Sequence, residues 1–202
     1  MCSVKPVKVP RSDARAALHG LAAAVLVAVL AGGCGRSDLD AAVKSGNLAS
    51  VRAAIEAEGD IQAGDAHGIT PLMAAARANR AEVAELLIDR GARVRATDRR
   101  GFTALHYAAQ NGMNATIALL LDRGAAINAP AGAGRYSPLH LAVIDSRDET
   151  AVMLVERGAD VAQKNAQGVT ALDIAASRNE HKLAAALEDA EVRRAGNAST
   201  GQ

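Results

Sequence analysis

The chain predicts an all-α repeat solenoid, built from short helix-turn-helix units whose connecting tips turn back as β-hairpin-like fingers. Two observations carry this expectation. Of 202 residues, 48 are alanine and only Phe102, Tyr107 and Tyr136 are aromatic. A core of Ala and Leu suits close-packed helices and disfavours a β-sandwich or barrel, which draws on β-branched and aromatic residues. The chain also matches itself at a spacing of 33 residues, the mark of stacked units that cannot bury their apolar faces alone.

The N-terminal segment stands outside the repeats. Residues 1–20 hold Lys5, Lys8, Arg11 and Arg15 against Asp13, and an uncharged run from Leu21 to Ala31 follows, ending at Gly32-Gly33-Cys34. A basic start, a short apolar stretch and a small-residue exit are the parts of a secretory signal peptide, expected over 1–33. The run is too short to span a bilayer, which needs about 20 apolar residues. No paired arginines occur in the basic start, so the general export route is expected. Leu30-Ala31-Gly32-Gly33-Cys34 resembles a bacterial lipoprotein lipobox, with Ala31 where the family prefers a large aliphatic residue. The resemblance implies lipidation of Cys34, with 34–35 as the lipidated N-terminus. Ala31 and Gly33 equally fit a plain small-x-small cleavage site, and so do the residues Val29-Leu30-Ala31. Cleavage before Cys34 removes Cys2 and leaves one thiol, which a lipid explains better than a free cysteine in an oxidising compartment. Gly35 after that cysteine suggests the outer membrane within the lipoprotein family.

From residue 36 the repeats begin. Gly68-Ile69-Thr70-Pro71-Leu72-Met73-Ala74-Ala75-Ala76 matches Gly101-Phe102-Thr103-Ala104-Leu105-His106-Tyr107-Ala108-Ala109. The frame returns at Ser137-Pro138-Leu139-His140 and at Gly168-Val169-Thr170-Ala171-Leu172-Asp173. A second block keeps the same register: Leu86-Leu87-Ile88-Asp89-Arg90-Gly91, Leu119-Leu120-Leu121-Asp122-Arg123-Gly124 and Met153-Leu154-Val155-Glu156-Arg157-Gly158. These blocks resemble the ankyrin repeat and its T-P-L-H-x-A signature. About five repeats are expected, at 36–64, 65–97, 98–131, 132–164 and 165–190, the first of them a weaker copy anchored on Leu39. Residues 191–202 are polar and aperiodic, and a disordered tail is expected there.

Local physics justifies each element. Thr70, Thr103, Ser137 and Thr170 are N-cap residues, and Pro71 and Pro138 occupy the first helical position, where no amide hydrogen is needed. The first helix of each unit is short and Ala-rich, so neighbours approach closely. The second carries long apolar residues at helical spacing, such as Val83, Leu86 and Leu87. Gly91, Gly124 and Gly158 close it with a left-handed turn. Asp40 and Asp173 replace the signature His in the end repeats, three residues after Ser37 and Thr170, as in a capping box.

The residues exclude several function classes. Twenty-three basic against twenty-two acidic residues give no bulk attraction for nucleic acid. Removal of 1–33, with four basic and one acidic residue, takes the net charge from +1 to −2. His106 and His140 share one position in adjacent repeats, so stacking holds them too far apart for a shared zinc, and the resemblance implies structural hydrogen bonds within the repeat instead. Asp89-Arg90, Asp122-Arg123 and Glu156-Arg157 read as a solvated face with charge compensation at helix ends. Gly132-Ala133-Gly134 is a one-residue insertion in the third finger and lacks the third glycine of a dinucleotide loop. No cofactor, metal or catalytic set is expected.

Ankyrin arrays bind proteins on their concave side, so the resemblance implies a protein partner. It selects Arg77, Tyr107, Gln110, Asn111, Leu141, Ile144, Asp145 and Arg178 on the first helices, with Arg99 and Arg100 on the second finger. Tyr107, Leu141 and Ile144, flanked by Arg99 and Arg100, form the expected patch, Tyr and Arg being typical of binding hot spots. Leu141 and Ile144 equally suit packing between repeats, and the insertion at Ala131–Arg135 suits a specificity loop or a tolerated surface change. The function expected is a non-enzymatic, monomeric interaction module of the bacterial envelope, periplasmic and held at the outer membrane by lipid. Narrower versions are an immunity or inhibitor protein against a toxic enzyme, and an accessory factor of a periplasmic enzyme such as a catalase. An enzyme is the rival class.

Overall fold

A computed structural model describes residues 35–57 and 59–199. The expected signal peptide and the expected lipidation site at Cys34 lie outside them. Among the described residues ten helices form five pairs: α1 (Gly35–Ser45) with α2 (Leu48–Glu56), α3 (Pro71–Arg77) with α4 (Ala81–Asp89), α5 (Ala104–Asn111) with α6 (Asn114–Asp122), α7 (Pro138–Ile144) with α8 (Asp148–Glu156), and α9 (Ala171–Ser177) with α10 (His181–Ser199). The inner helices α1, α3, α5, α7 and α9 stack in chain order; α2, α4 and α6 pack side by side behind them, as do α8 and α10. This is the expected all-α repeat solenoid. Among the described residues there is no strand, and the one isolated bridge joins Ala131 and Tyr136 in the third finger.

Small side chains explain why the inner row is so tight. Six consecutive residues are buried in α3 (71–76), in α5 (104–109) and in α7 (138–143). A helix can lose water all round only where its neighbours approach closely, and Ala74, Ala75, Ala76, Ala108, Ala109 and Ala142 permit that. The outer helices behave differently and keep one wet face. Leu87, Leu120 and Leu154 stand at matching positions on α4, α6 and α8, each fully buried, and each contributes about 1.5–3 kcal/mol of apolar burial. Behind them Gly91, Gly124 and Gly158 take φ of 93°, 83° and 102°, a left-handed turn that a side chain would strain.

Two expectations about the ends need correcting. Residues 191–199 continue α10 as a helix to Ser199. Ala190 is fully buried and Arg193 reaches Glu156 of α8 at 3.3 Å, so contacts up to Arg193 tie the helix to its neighbour where the apolar periodicity has faded. At the other end, α1 already includes Ser37, so Ser37 lies inside the first turn and does not precede it as a cap.

Charge on the outer row is arranged across repeats. Arg123 of one unit pairs with Asp89 and Glu85 of the preceding one, at 2.7 and 3.2 Å, and Arg157 pairs with Asp122 in the same way. The aligned acids and bases are therefore offset by one repeat, which converts a ladder of like charges into alternating pairs. Such exposed pairs contribute about 0.2–1 kcal/mol each.

Candidate interaction surface

The fingers are set by one recurring device. Asp65 Oδ1 accepts hydrogen bonds from the amides of His67 (2.7 Å) and Ile69 (3.0 Å). Asp98 Oδ1 does the same with Arg100 and Phe102, both at 2.8 Å, and Asn165 Oδ1 with Gln167 and Val169 at 2.9 and 3.0 Å. A side-chain acceptor of this kind stands in for a backbone turn. The third finger has Ala131 there and uses two backbone bonds with Tyr136 instead, each 2.9 Å; its extra residue puts Arg135 at φ 51°. Adjacent fingers are joined by amides: Arg99 to the His67 carbonyl at 3.0 Å, Gly132 to Arg100 at 2.7 Å, and Ala166 to Gly134 at 2.8 Å.

His106 and His140 lock inner helices to fingers. His106 Nδ1 accepts from the Thr103 amide at 3.1 Å and lies 2.8 Å from its hydroxyl. Its Nε2 lies 2.9 Å from the Ala129 carbonyl and 3.2 Å from that of Tyr136. An amide must donate and a carbonyl must accept, so both ends require the neutral ring with hydrogen on Nε2. His140 repeats the arrangement with Ser137 and reaches the Val169 carbonyl at 3.2 Å. The bonds to Tyr136 and Val169 cross into the next finger, so these histidines also tie neighbouring repeats together. Burial, only partly offset by the carbonyl contacts, lowers both pKa values below 6.5. Every ring nitrogen is engaged within the protein, which leaves none to ligate a metal. Where the signature His is replaced, the cap weakens or changes: Met73 Sδ sits 3.5 Å from the Thr70 amide, and Asp173 accepts from the Thr170 amide and hydroxyl at 2.9 and 2.8 Å.

The expected contact residues separate into four groups. Tyr107 and Leu141 are buried, at 3% and 6% exposure, and this overturns their role as exposed anchors. In α3, α5 and α7 the tight inner row leaves mid-helix residues no outlet, so only the last turn of each of these helices meets solvent. Gln110, Asn111, Ile144 and Asp145 lie there and are half-buried; Asn111 donates to the Tyr107 carbonyl at 2.8 Å. Arg178 is exposed but serves the array: Nη1 donates to the carbonyls of Val143 and Ile144 at 3.1 and 2.6 Å, closing the C-terminus of α7. Arg147 and Arg80 do likewise for Gln110 and Lys44.

Arg77, Arg99 and Arg100 come together. With His67, Ile69, Asp98 and Tyr107 they line a groove of about 330 Å³ between the first two fingers and the ends of α3 and α5. Asp98 is the hub, and residue patterns did not single it out. Its Oδ2 accepts from the Tyr107 hydroxyl at 2.7 Å and lies 3.7 Å from Arg100 Nε, with the carboxylate 1% exposed. Burial alone would raise its pKa. The Tyr107 hydroxyl, the Phe102 and Arg100 amides and the Arg100 charge outweigh burial and hold it below the ordinary 3.8. Arg100 in turn lies 4.6 Å above the Phe102 ring and donates to Tyr107 Oη at 3.3 Å. A visible signal did exist: Asx-x-x-Gly recurs at 65–68, 98–101 and 165–168.

Stacked helix pairs joined by fingers, with side chains converging on the finger side, define a repeat solenoid of the kind that works by binding. Family comparisons name it. Residues 39–131 match the family model described as Ankyrin repeats (3 copies), and residues 139–187 match Ankyrin repeats (many copies). Together these span most of the chain, and the protein belongs to the ankyrin-repeat family. No curated protein matches it. Ankyrin-repeat proteins are typically non-enzymatic modules for protein–protein interaction.

Proposed function

We propose that this protein is an exported interaction module of the bacterial envelope, anchored by lipid at Cys34, that binds a partner protein through the concave face of its array. The observation that supports the binding face most directly is the groove between the first two fingers, where Arg77, Arg99 and Arg100 converge. Arginine is enriched where binding energy concentrates, and the groove opens beside half-buried last-turn residues that can complete a contact. Export and anchoring are supported by residues 1–34 alone: the basic start, the apolar run from Leu21 to Ala31 and the small residues before Cys34.

The test places a photo-crosslinking amino acid at Gln110 or Arg135 on the finger side, and at Glu82 on the outer row, in the full-length protein in cells. One dominant envelope protein captured from Gln110 and Arg135 but not from Glu82 is the expected result. Mass spectrometry of the same preparation should find the N-terminal peptide beginning at Cys34 with an acyl mass shift. Capture from Glu82 alone would overturn the concave face, and an unmodified Cys34 would overturn the anchor.

A further inference from the structure

Several of the described guanidinium groups are engaged with the protein itself: Arg123 with Glu85 and Asp89, Arg157 with Asp122, Arg147 and Arg178 with carbonyls that end the preceding inner helices. In the groove, cations without such partners stand together. Arg77 and Arg99 are exposed, and among the described residues neither guanidinium has a hydrogen-bond or ion-pair partner. Asp98 is the carboxylate lining the groove, and its single charge offsets only one of the three cations, Arg100 at 3.7 Å. Its oxygens also accept from two amides and the Tyr107 hydroxyl.

Arg100 is the third cation and it is held in place. Phe102 supports one face of the guanidinium, Asp98 faces Nε and Tyr107 Oη accepts from Nη2, yet the side chain remains 65% exposed. A guanidinium already fixed by its neighbours loses little freedom on binding and presents its planar donors to an anion. With Arg77 and Arg99 alongside, the groove carries three cations against one internally satisfied carboxylate. Their mutual repulsion is relieved when an anion enters. The whole chain has a net charge of only +1, so the positive field comes from placement and not from composition.

We propose that this groove is an anion-binding subsite that takes carboxylate side chains from an acidic segment of the partner protein. Arg100 is the prealigned fork, and Arg77 and Arg99 are the flanking charges. The inference rests on the concave-face reading above and adds the chemistry of the partner. Guanidinium and carboxylate pair bidentately and favourably. Nucleic acid is disfavoured because Tyr107 is 3% exposed and the Phe102 ring is taken up by Arg100 and Tyr107, so neither offers a free face for base stacking, on which single-strand binders depend.

Fluorescence anisotropy of the full-length protein with labelled dodecaglutamate and dodecaglutamine tests this. The wild type should bind dodecaglutamate in a saturable, salt-sensitive manner and ignore dodecaglutamine. Arg77→Glu with Arg99→Glu should weaken it by at least about tenfold, the scale expected when charge complementarity is reversed. A charge-matched control, Arg90→Glu with Arg93→Glu at the end of α4, should change it by less than about threefold, as for charges remote from a contact. No dodecaglutamate binding, or equal loss in both variants, would overturn the subsite. Complete displacement by millimolar inorganic phosphate would make it a small-anion site and overturn the peptide assignment. Crosslinking from Gln110 in the Arg77→Glu, Arg99→Glu background separates the two readings. A partner captured there undiminished sinks the acidic-segment inference alone, whereas no partner from any finger-side position in wild type sinks the concave-face reading itself.

Discussion

Fingers one and two are built on the same scaffold. Asp65 and Asp98 each accept two amide hydrogens two and four residues on, and in each finger the amide of the acid donates to the carbonyl four residues later at 2.9 Å. They differ in what stands above the carboxylate. The second finger has Tyr107, whose hydroxyl reaches Asp98; the corresponding residue one repeat earlier is Ala74, which has no polar atom to offer. Asp65 therefore shapes a turn and nothing more, while Asp98 shapes a turn, anchors an inner helix and orients Arg100. A structural residue becomes part of a site through one added neighbour.

That difference should be measurable in stability. Asp98→Ala removes a buried acceptor and strands the Tyr107 hydroxyl and two amides, an expected loss of about 3 kcal/mol, since each buried donor left unsatisfied costs about 1–3 kcal/mol. Asp65→Ala leaves its amides near solvent and should lose only about 1 kcal/mol. Urea unfolding followed by circular dichroism checks both. Equal losses would mean that the connection to Tyr107 adds nothing.

Acid should resolve the second finger from the histidine locks. His106 and His140 have folded pKa values below 6.5, so the unfolded chain binds their protons first. Stability contributed by the neutral rings is full above pH 6.5 and falls as pH drops through that value toward the folded pKa. Asp98 is also depressed, from 3.8, so its contribution is intact through the histidine window and is lost only below the ordinary carboxylate range. The urea midpoint should thus fall in two stages, and His106→Gln should shrink the upper stage while leaving the lower one. A midpoint flat between pH 7 and 5 would contradict the neutral-ring assignment.

Most of the fold was readable in the residues, because it is local and repeated. N-cap threonines, Pro71 and Pro138, the closing glycines and the 33-residue spacing each state their own structure. The site was readable only in part, because surface exposure depends on neighbours. Tyr107 and Leu141 look like contact residues on a single helix, but the alanines that line α3, α5 and α7 draw the inner row close enough to bury them. Arg178 likewise reads as a free charge until the carbonyls of Val143 and Ile144 are placed beneath it. Arg77, Arg99 and Arg100, expected as partner contacts, do line one groove, since finger tips and last turns of such helices face solvent. What organises them was hidden, because the carboxylate of Asp98 has its partners spread over two elements.

The smallest of these effects isolates the added neighbour itself. Tyr107→Phe keeps the ring, its burial and its 5.9 Å contact with Phe102, and removes only the hydroxyl. Asp98 Oδ2 then keeps the Arg100 guanidinium at 3.7 Å but loses its shortest partner, for an expected cost of about 1–2 kcal/mol. Arg100 loses the acceptor for Nη2 while Phe102 still supports its face. The fork should become less fixed without leaving the groove, so dodecaglutamate affinity should drop by a few-fold, about what one mobile side chain costs to order. Such a drop with the thermal transition nearly intact would assign Tyr107 a positioning role. Unchanged affinity at reduced stability would confine Tyr107 to the core and make the second finger, like the first, a turn whose arginines act without support from the helix above.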